Sequence, residues 1–325
     1  MFFGVLSYIH FRRTCAPAVE PAVKEQISFD TGDTGKSFYS AMIVVATVFT
    51  VYFVNVPALL ASRNLLNALA AAGKGDLQES MRNFEKSLSY NSFGSTEIRE
   101  HLASLAMKVA SAENLDPLQK NKIFEIASSE MEKQVRQSPE DIRYLVFLGA
   151  LYSKEQEYDK AVEVLGKAIT LSPKKQQLYF ELGSAYLNKK DYNKAAEILK
   201  TAFELDSNFN EARNIYATSL IFGGKSDLAE NILREKYGTA AVADERIFKA
   251  YASLKDVAKA VGILEKMVEQ NPEDAQYRVS LASNYLLMSE RQKAVEQLQR
   301  AIEIEPRFKQ QGEYYISEIM AGRNP

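Results

Sequence analysis

Residues 148–173 read LGALYSKEQEYDKAVEVLGKAITLSP, and residues 182–207 read LGSAYLNKKDYNKAAEILKTAFELDS. At a shift of 34 residues the two strings keep the same classes of side chain in the same slots: Leu148-Gly149 over Leu182-Gly183, Tyr152 over Tyr186, Ala161 over Ala195, Leu165 over Leu199. The small residue recurs beyond them. Ala127, Ala161, Ala195 and Ala229 stand 34 apart, Ala260 follows after 31, and Ala294 after 34 more. Four residues past each comes a large apolar side chain: Met131, Leu165, Leu199, Leu233, Leu264 and Leu298. Prolines close the units at Pro139, Pro173, Pro272 and Pro306, with Ser207 where another would fall. Such a period predicts antiparallel helix pairs, each too small to bury its apolar stripe alone and therefore stacked on its neighbours.

The first helix of each unit carries the other half of the pattern: Leu145-x2-Leu148-Gly149-x2-Tyr152, Tyr179-x2-Leu182-Gly183-x2-Tyr186, Tyr216-Ala217-x2-Leu220, Ile247-Phe248-x2-Tyr251 and Leu281-Ala282-x2-Tyr285. Small residues of the Gly149 and Ala161 type are expected where two helices cross, and the tyrosines against the next pair. These slots are structural. In spacing, residue class and closing proline the chain resembles the tetratricopeptide repeat family, strongly over residues 141–308. The resemblance implies an all-α, right-handed solenoid that binds a protein or peptide and catalyses nothing itself. Degenerate pairs precede the clear ones over 63–140, with Gly73-Lys74-Gly75 as a turn and Phe84 four residues after Ser80. Residues 309–325 read as a capping helix.

Composition excludes several other functions. Lys and Arg number 40 against 42 acids and the two signs interleave, so nothing points to nucleic acid. One cysteine, Cys15, forms no internal disulfide, and His10 and His101 are too few for a metal centre. No cofactor is expected. Gly223-Gly224-Lys225-Ser226 lacks both the leading glycine and the preceding strand of a phosphate loop, and sits where a helix-pair turn belongs.

The first 62 residues read differently. From Ser37 to Ser62 no residue is charged, and Lys36 and Arg63 bracket the run. At 1.5 Å per residue it reaches roughly 39 Å, enough to cross a hydrocarbon core of ~30 Å. A transmembrane helix is expected over 37–62, with the lipid bilayer as its partner and a bacterial plasma membrane as its place. Residues 1–11 are apolar but too short to span, and read as a truncated half of an earlier span. Residues 14–36 read as linker, so 1–36 forms an apolar stub and flexible linker. The chain is thus expected to be the C-terminal part of a longer multispanning protein. Arg12 and Arg13 tip the linker towards the cytoplasm and the repeats towards the outside.

In tetratricopeptide stacks the first helices line a concave face. Carried over by spacing, that face holds Arg143, Val146, Ala150, Gln177, Phe180, Ser184, Asn188, Glu211, Asn214 and Thr218. The Lys and Asn pair that clamps two carboxylates in chaperone-binding members is absent, with Val146 and Ala150 or Phe180 and Ser184 in its slots, so an acidic C-terminal tail is not the expected ligand. A second resemblance covers residues 38–105. Asn55-x-Pro57, Ala61-Ser62-Arg63-Asn64, Ser89-Tyr90-Asn91-Ser92-Phe93-Gly94 and Glu97-Ile98-Arg99-Glu100 are similar to the C-terminal region of bacterial O-antigen ligase or polymerase-like membrane proteins with appended repeats. That resemblance implies a glycan-transferring parent whose catalytic loop is missing from this chain.

Overall fold

The computed structural model describes residues 34–112 and 115–324, with side chains from Phe38 onward. The apolar stub, Arg12, Arg13, Cys15 and most of the linker lie outside the described residues. Every regular element among the described residues is helical, and the chain divides into two compact units, Met1–Pro57 and Ala58–Pro325.

In the first unit, α1 (Thr34–Thr50) runs into a π-helical turn, Val51–Asn55. Proline has no N–H to give and its ring crowds the carbonyl four residues back. The wide turn falls immediately before Pro57, and Val56 N–H bonds the Val51 carbonyl five residues behind. Phe38, Ile43, Val45, Phe49 and Phe53 are all exposed. Thr47 and Thr50 fold their hydroxyls onto the carbonyls of Ile43 and Ala46 at 2.8 Å, so the helix shows no free hydroxyl there. By length and composition the 36-residue helix Phe38–Gly73 is able to cross a membrane.

The second unit starts on α2 (Val56–Gly73), which pairs with α3 (Leu77–Ser89). Then come α4 (Ser95–Ala110) with α5 (Pro117–Gln137), α6 (Ile142–Lys154) with α7 (Tyr158–Leu171), and α8 (Gln176–Asn188) with α9 (Tyr192–Leu205). They continue as α10 (Asn210–Phe222) with α11 (Ser226–Tyr237), α12 (Glu245–Ser253) with α13 (Val257–Gln270), and α14 (Ala275–Leu287) with α15 (Arg291–Ile304). A capping helix, α16 (Lys309–Met320), closes the array.

The periodic slots do what their spacing predicts. Ala161, Ala195, Ala229, Ala260 and Ala294 are fully buried, as are Leu165, Leu199, Leu233 and Leu264 or nearly so. Gly149 faces Leu165: a Cβ built there would stand 2.6 Å from the leucine Cγ, and at Gly183 one would stand 2.5 Å from Leu199 Cγ. The glycine therefore admits the large residue of the partner helix, while the alanine lies one turn earlier. In the degenerate first pair Ser80 holds the small slot, buried, and its hydroxyl is satisfied by the Ala68 carbonyl at 2.9 Å.

In every pair but α4–α5 the turn is also one device repeated. Gly75, Gln156, Lys190, Gly224, Lys255 and Ser289 all take positive φ, between 60° and 81°. The next residue's N–H then reaches the carbonyl five residues back, as in Glu157 to Tyr152 O at 2.8 Å and Asp191 to Tyr186 O at 2.9 Å. Between pairs, Tyr152 donates to Glu132 on α5 at 2.7 Å and Tyr285 to Glu265 on α13 at 2.6 Å. Lys160 and Lys293, each one residue before the small alanine, stand 5.4 and 5.2 Å over those rings. Burial first, and then the glutamate, push both phenols above their ordinary range. Arg291 fastens the cap by donating to the carbonyls of Ile319, Gly322 and Arg323.

Candidate functional site: the inner wall of the repeats

From α5 onward the second helices pack on the first helix of their own pair and of the next one, except α11, which packs on α10 while α12 comes directly against α10. The first helices also touch one another in sequence, α4 on α6, α6 on α8, α8 on α10 and α10 on α12. Helices that approach in series form the tighter side of a curved stack, so this row makes an inner wall.

On α6, Arg143 is drawn back to its own cap: its Nη2 lies 2.8 Å from Asp141, whose carboxyl is held below its usual range mainly by that hydrogen bond. Val146 and Ala150 lie half-buried further along. On α8, Phe180 and Ser184 are half-buried, while Gln177 and Asn188 are exposed, and Gln177 donates to Glu181 at 2.7 Å. The ring of Phe180 lies 6.0 Å from that of Phe209, which caps α10 and is 42% exposed. Phe209 belongs to this surface and was not among the spacing-derived set. Its signal in the sequence is an aromatic side chain in the polar turn after Ser207, one position before a helix begins.

On α10 the wall is occupied by the chain itself. Thr218 is buried at 2% exposure, with its hydroxyl on the Asn214 carbonyl, because α12 packs closely along α10. It offers no accessible surface. Asn214 has spent both ends of its amide, donating to Asp244 at 3.0 Å and accepting from the Tyr237 hydroxyl at 3.0 Å. Glu211 is exposed but ion-paired with Arg246 through both oxygens. Asp244 also accepts from the N–H groups of Arg246 and Ile247 at the start of α12. Burial pushes its carboxyl up, and the Arg246 guanidinium with the Asn214 amide more than offsets this, leaving it below its ordinary range. The segment 238–244, outside any helix, carries Asp244 into this position.

The free stretch therefore runs over α6, α8 and the start of α10. It offers the paired rings of Phe180 and Phe209 with the polar groups of Gln177, Glu181, Ser184 and Asn188 on α8, and Val146 on α6. Two clefts lie elsewhere, at joints between pairs: one of about 420 Å³ by Glu230, Tyr251 and Lys259, and one of about 580 Å³ by Ser128, Tyr152 and Glu155. Both are built around the tyrosine–lysine–glutamate contacts of the stack. In the second, burial raises Glu155 despite its 3.0 Å bond from Ser128. Among the described residues no three His, Cys, Asp or Glu side chains gather as a metal site requires.

The fold is an all-helical array of tetratricopeptide-like pairs, and a family model for the tetratricopeptide repeat matches residues 152–218, from the end of α6 into α10. The crystal structure of a tetratricopeptide repeat protein from Parabacteroides merdae ATCC 43184 shares the fold at 17% identity. That match covers 81% of this chain and 99% of that one, with a TM-score of 0.52. YrrB, a TPR protein with an unusual peptide-binding site, aligns at 21% identity over 54% of this chain and 92% of its own, with a TM-score of 0.36. MamA MSR-1 aligns at 22% identity over 54% and 93%, with a TM-score of 0.40. No curated protein matches the chain.

Proposed function

We propose that this protein is a membrane-tethered interaction scaffold that holds a protein or peptide partner along its inner wall. The observation that carries this reading is the pairing of half-buried Phe180 with exposed Phe209, flanked by amide and hydroxyl groups of α8. An extended chain would place an apolar side chain on the two rings and its backbone amides within reach of Ser184 and Asn188. Residues 37–62 would serve as the transmembrane tether in a bacterial plasma membrane, with the repeats on the outer side. The pairs over 63–140 would then stand between the bilayer and the regular array of 141–308, with 309–325 as its cap. The role is non-catalytic and needs no cofactor. YrrB's peptide-binding site, as named for that protein, agrees in kind with this reading. The similarity of residues 38–105 to O-antigen ligase or polymerase-like proteins supports a second reading, in which the same scaffold is the accessory tail of a glycan-transferring membrane enzyme.

The test is capture from detergent-solubilised membranes by the full chain. Phe180→Ala combined with Phe209→Ala should abolish capture of its partner, while Lys200→Ala with Lys266→Ala on second helices should leave it intact. Equal capture by both double variants would remove the inner wall as the binding surface.

A further inference from the structure

The turn between α3 and α4, Tyr90–Gly94, presents Phe93 at 77% exposure, more than Phe38, Phe49 or Phe53 of the apolar helix. Nothing in the packing of the repeats uses this ring. Its position does have a register. Ser80 Oγ donates to the Ala68 carbonyl at 2.9 Å, and Ser87 Oγ to the Ala61 carbonyl at 2.6 Å. A seven-residue step along α3 is thus matched by a seven-residue step back along α2, and the two helices run antiparallel side by side. Continued by three residues, the same register brings Tyr90 level with Ala58. That level lies inside the charge-free run, which ends at Ser62, by about 6 Å at 1.5 Å rise per residue.

We propose that Phe93 is a second membrane anchor: the α3–α4 turn rests in the interfacial layer of the bilayer from which α2 emerges, and so fixes how the repeats stand on the membrane. The inference rests on the reading of residues 37–62 as a span. The occupant is a lipid surface because the turn is continuous with it. Leu59, also exposed, lies at the same level on α2. The cations Lys86 and Arg63 stand about one turn further from the bilayer centre, where phosphate head groups lie. The exposed carboxylate of Glu97, within the first turn of α4, keeps the turn from sinking into the hydrocarbon. An aromatic ring at this depth gains burial while the polar backbone of the turn stays hydrated.

The chain contains no tryptophan, which allows a single-fluorophore test. Phe93→Trp, Phe49→Trp and Tyr314→Trp are each made in the full chain and reconstituted into phosphatidylcholine vesicles carrying nitroxide labels either at the head group or deep in the acyl chain. Tyr314, on the capping helix, is an exposed reference. The proposal expects Phe93→Trp emission to be blue-shifted and quenched by the head-group label, Phe49→Trp by the deep label, and Tyr314→Trp by neither. If Phe93→Trp matches Tyr314→Trp while Phe49→Trp is quenched, the second anchor is wrong and the span stands. If Phe49→Trp escapes the deep label, the span itself fails and the anchor falls with it.

Discussion

The start of a first helix is built in the same way at α6 and at α12, and the two copies end differently. Asp141 caps α6 and holds Nε and Nη2 of Arg143 at 3.1 and 2.8 Å; Asp244 caps α12 and holds the same atoms of Arg246 at 3.1 and 2.7 Å. Each arginine reaches back towards a glutamate on the preceding first helix. At α6 the reach to Glu100 stops at 3.9 Å and Arg143 stays 61% exposed. At α12 Glu211 is fully engaged and Asn214 completes the set. The difference lies in the approach. Only the short turn Ser138–Asp141 precedes α6, whereas the non-helical residues 238–244 lead into α12, in the one unit whose small residue arrives after 31 rather than 34. A regular period leaves the wall open, and the irregular connection covers it.

The largest expected effect breaks the regular region. Gly183→Val puts side-chain carbons where Leu199 already sits and should destabilise the array by about 3 kcal/mol, measured by urea unfolding. Gly166→Ala, on α7 with nothing within 4 Å of the added carbon, should instead be neutral or stabilising by up to about 1 kcal/mol. Equal losses at the two glycines would mean that the crossing is not where the repeats are held together.

A second substitution pair probes the two caps. Asp244→Ala removes two cap bonds, a guanidinium partner and the acceptor of Asn214, and should cost about 2–3 kcal/mol; Asp141→Ala should cost about 1 kcal/mol, that of a helix cap. The pH dependence has a definite sign. Because the folded state holds Asp244 below its ordinary range, its contribution is complete above that range and is lost as pH falls through it towards the lower folded value. Unfolding midpoints of the parent chain should drop below about pH 4, where an unfolded aspartate takes up its proton. Asp244→Asn should remove that part of the drop.

The smallest effect concerns the turns. Gln156 takes φ of 64° where the equivalent Gly224 takes 73°, so Gln156→Gly should stabilise by up to about 1 kcal/mol, read as a raised unfolding midpoint.

What the sequence displays and what it hides divide along the same line. The recurrence of Ala161, Leu165, Gly149 and Tyr152 is legible because each answers a local packing demand that returns at every pair. The same period places Val146 and Phe180 at equivalent slots on successive first helices, both half-buried. Thr218 and Asn214 occupy equivalent slots, but Thr218 lies under α12 and Asn214 is bonded to Tyr237, at the end of α11, and to Asp244, from the non-periodic segment 238–244 whose path no spacing rule describes. Phe209 was missed because it stands before its helix, outside the helical period. The lysine that covers each tyrosine ring was in view, at Lys160, Lys259 and Lys293, and only the distance to the ring reveals its use.

The most direct measurement is site-specific photo-cross-linking in native membranes with the full chain. A benzophenone side chain placed at Phe180 or Phe209 on the inner wall, or at Lys200 or Lys266 on second helices, samples the two sides of the same repeats. The account predicts a discrete partner adduct from the two phenylalanine positions and none from the lysine positions. Adducts from Lys200 and Lys266 with none from Phe180 and Phe209 would contradict it.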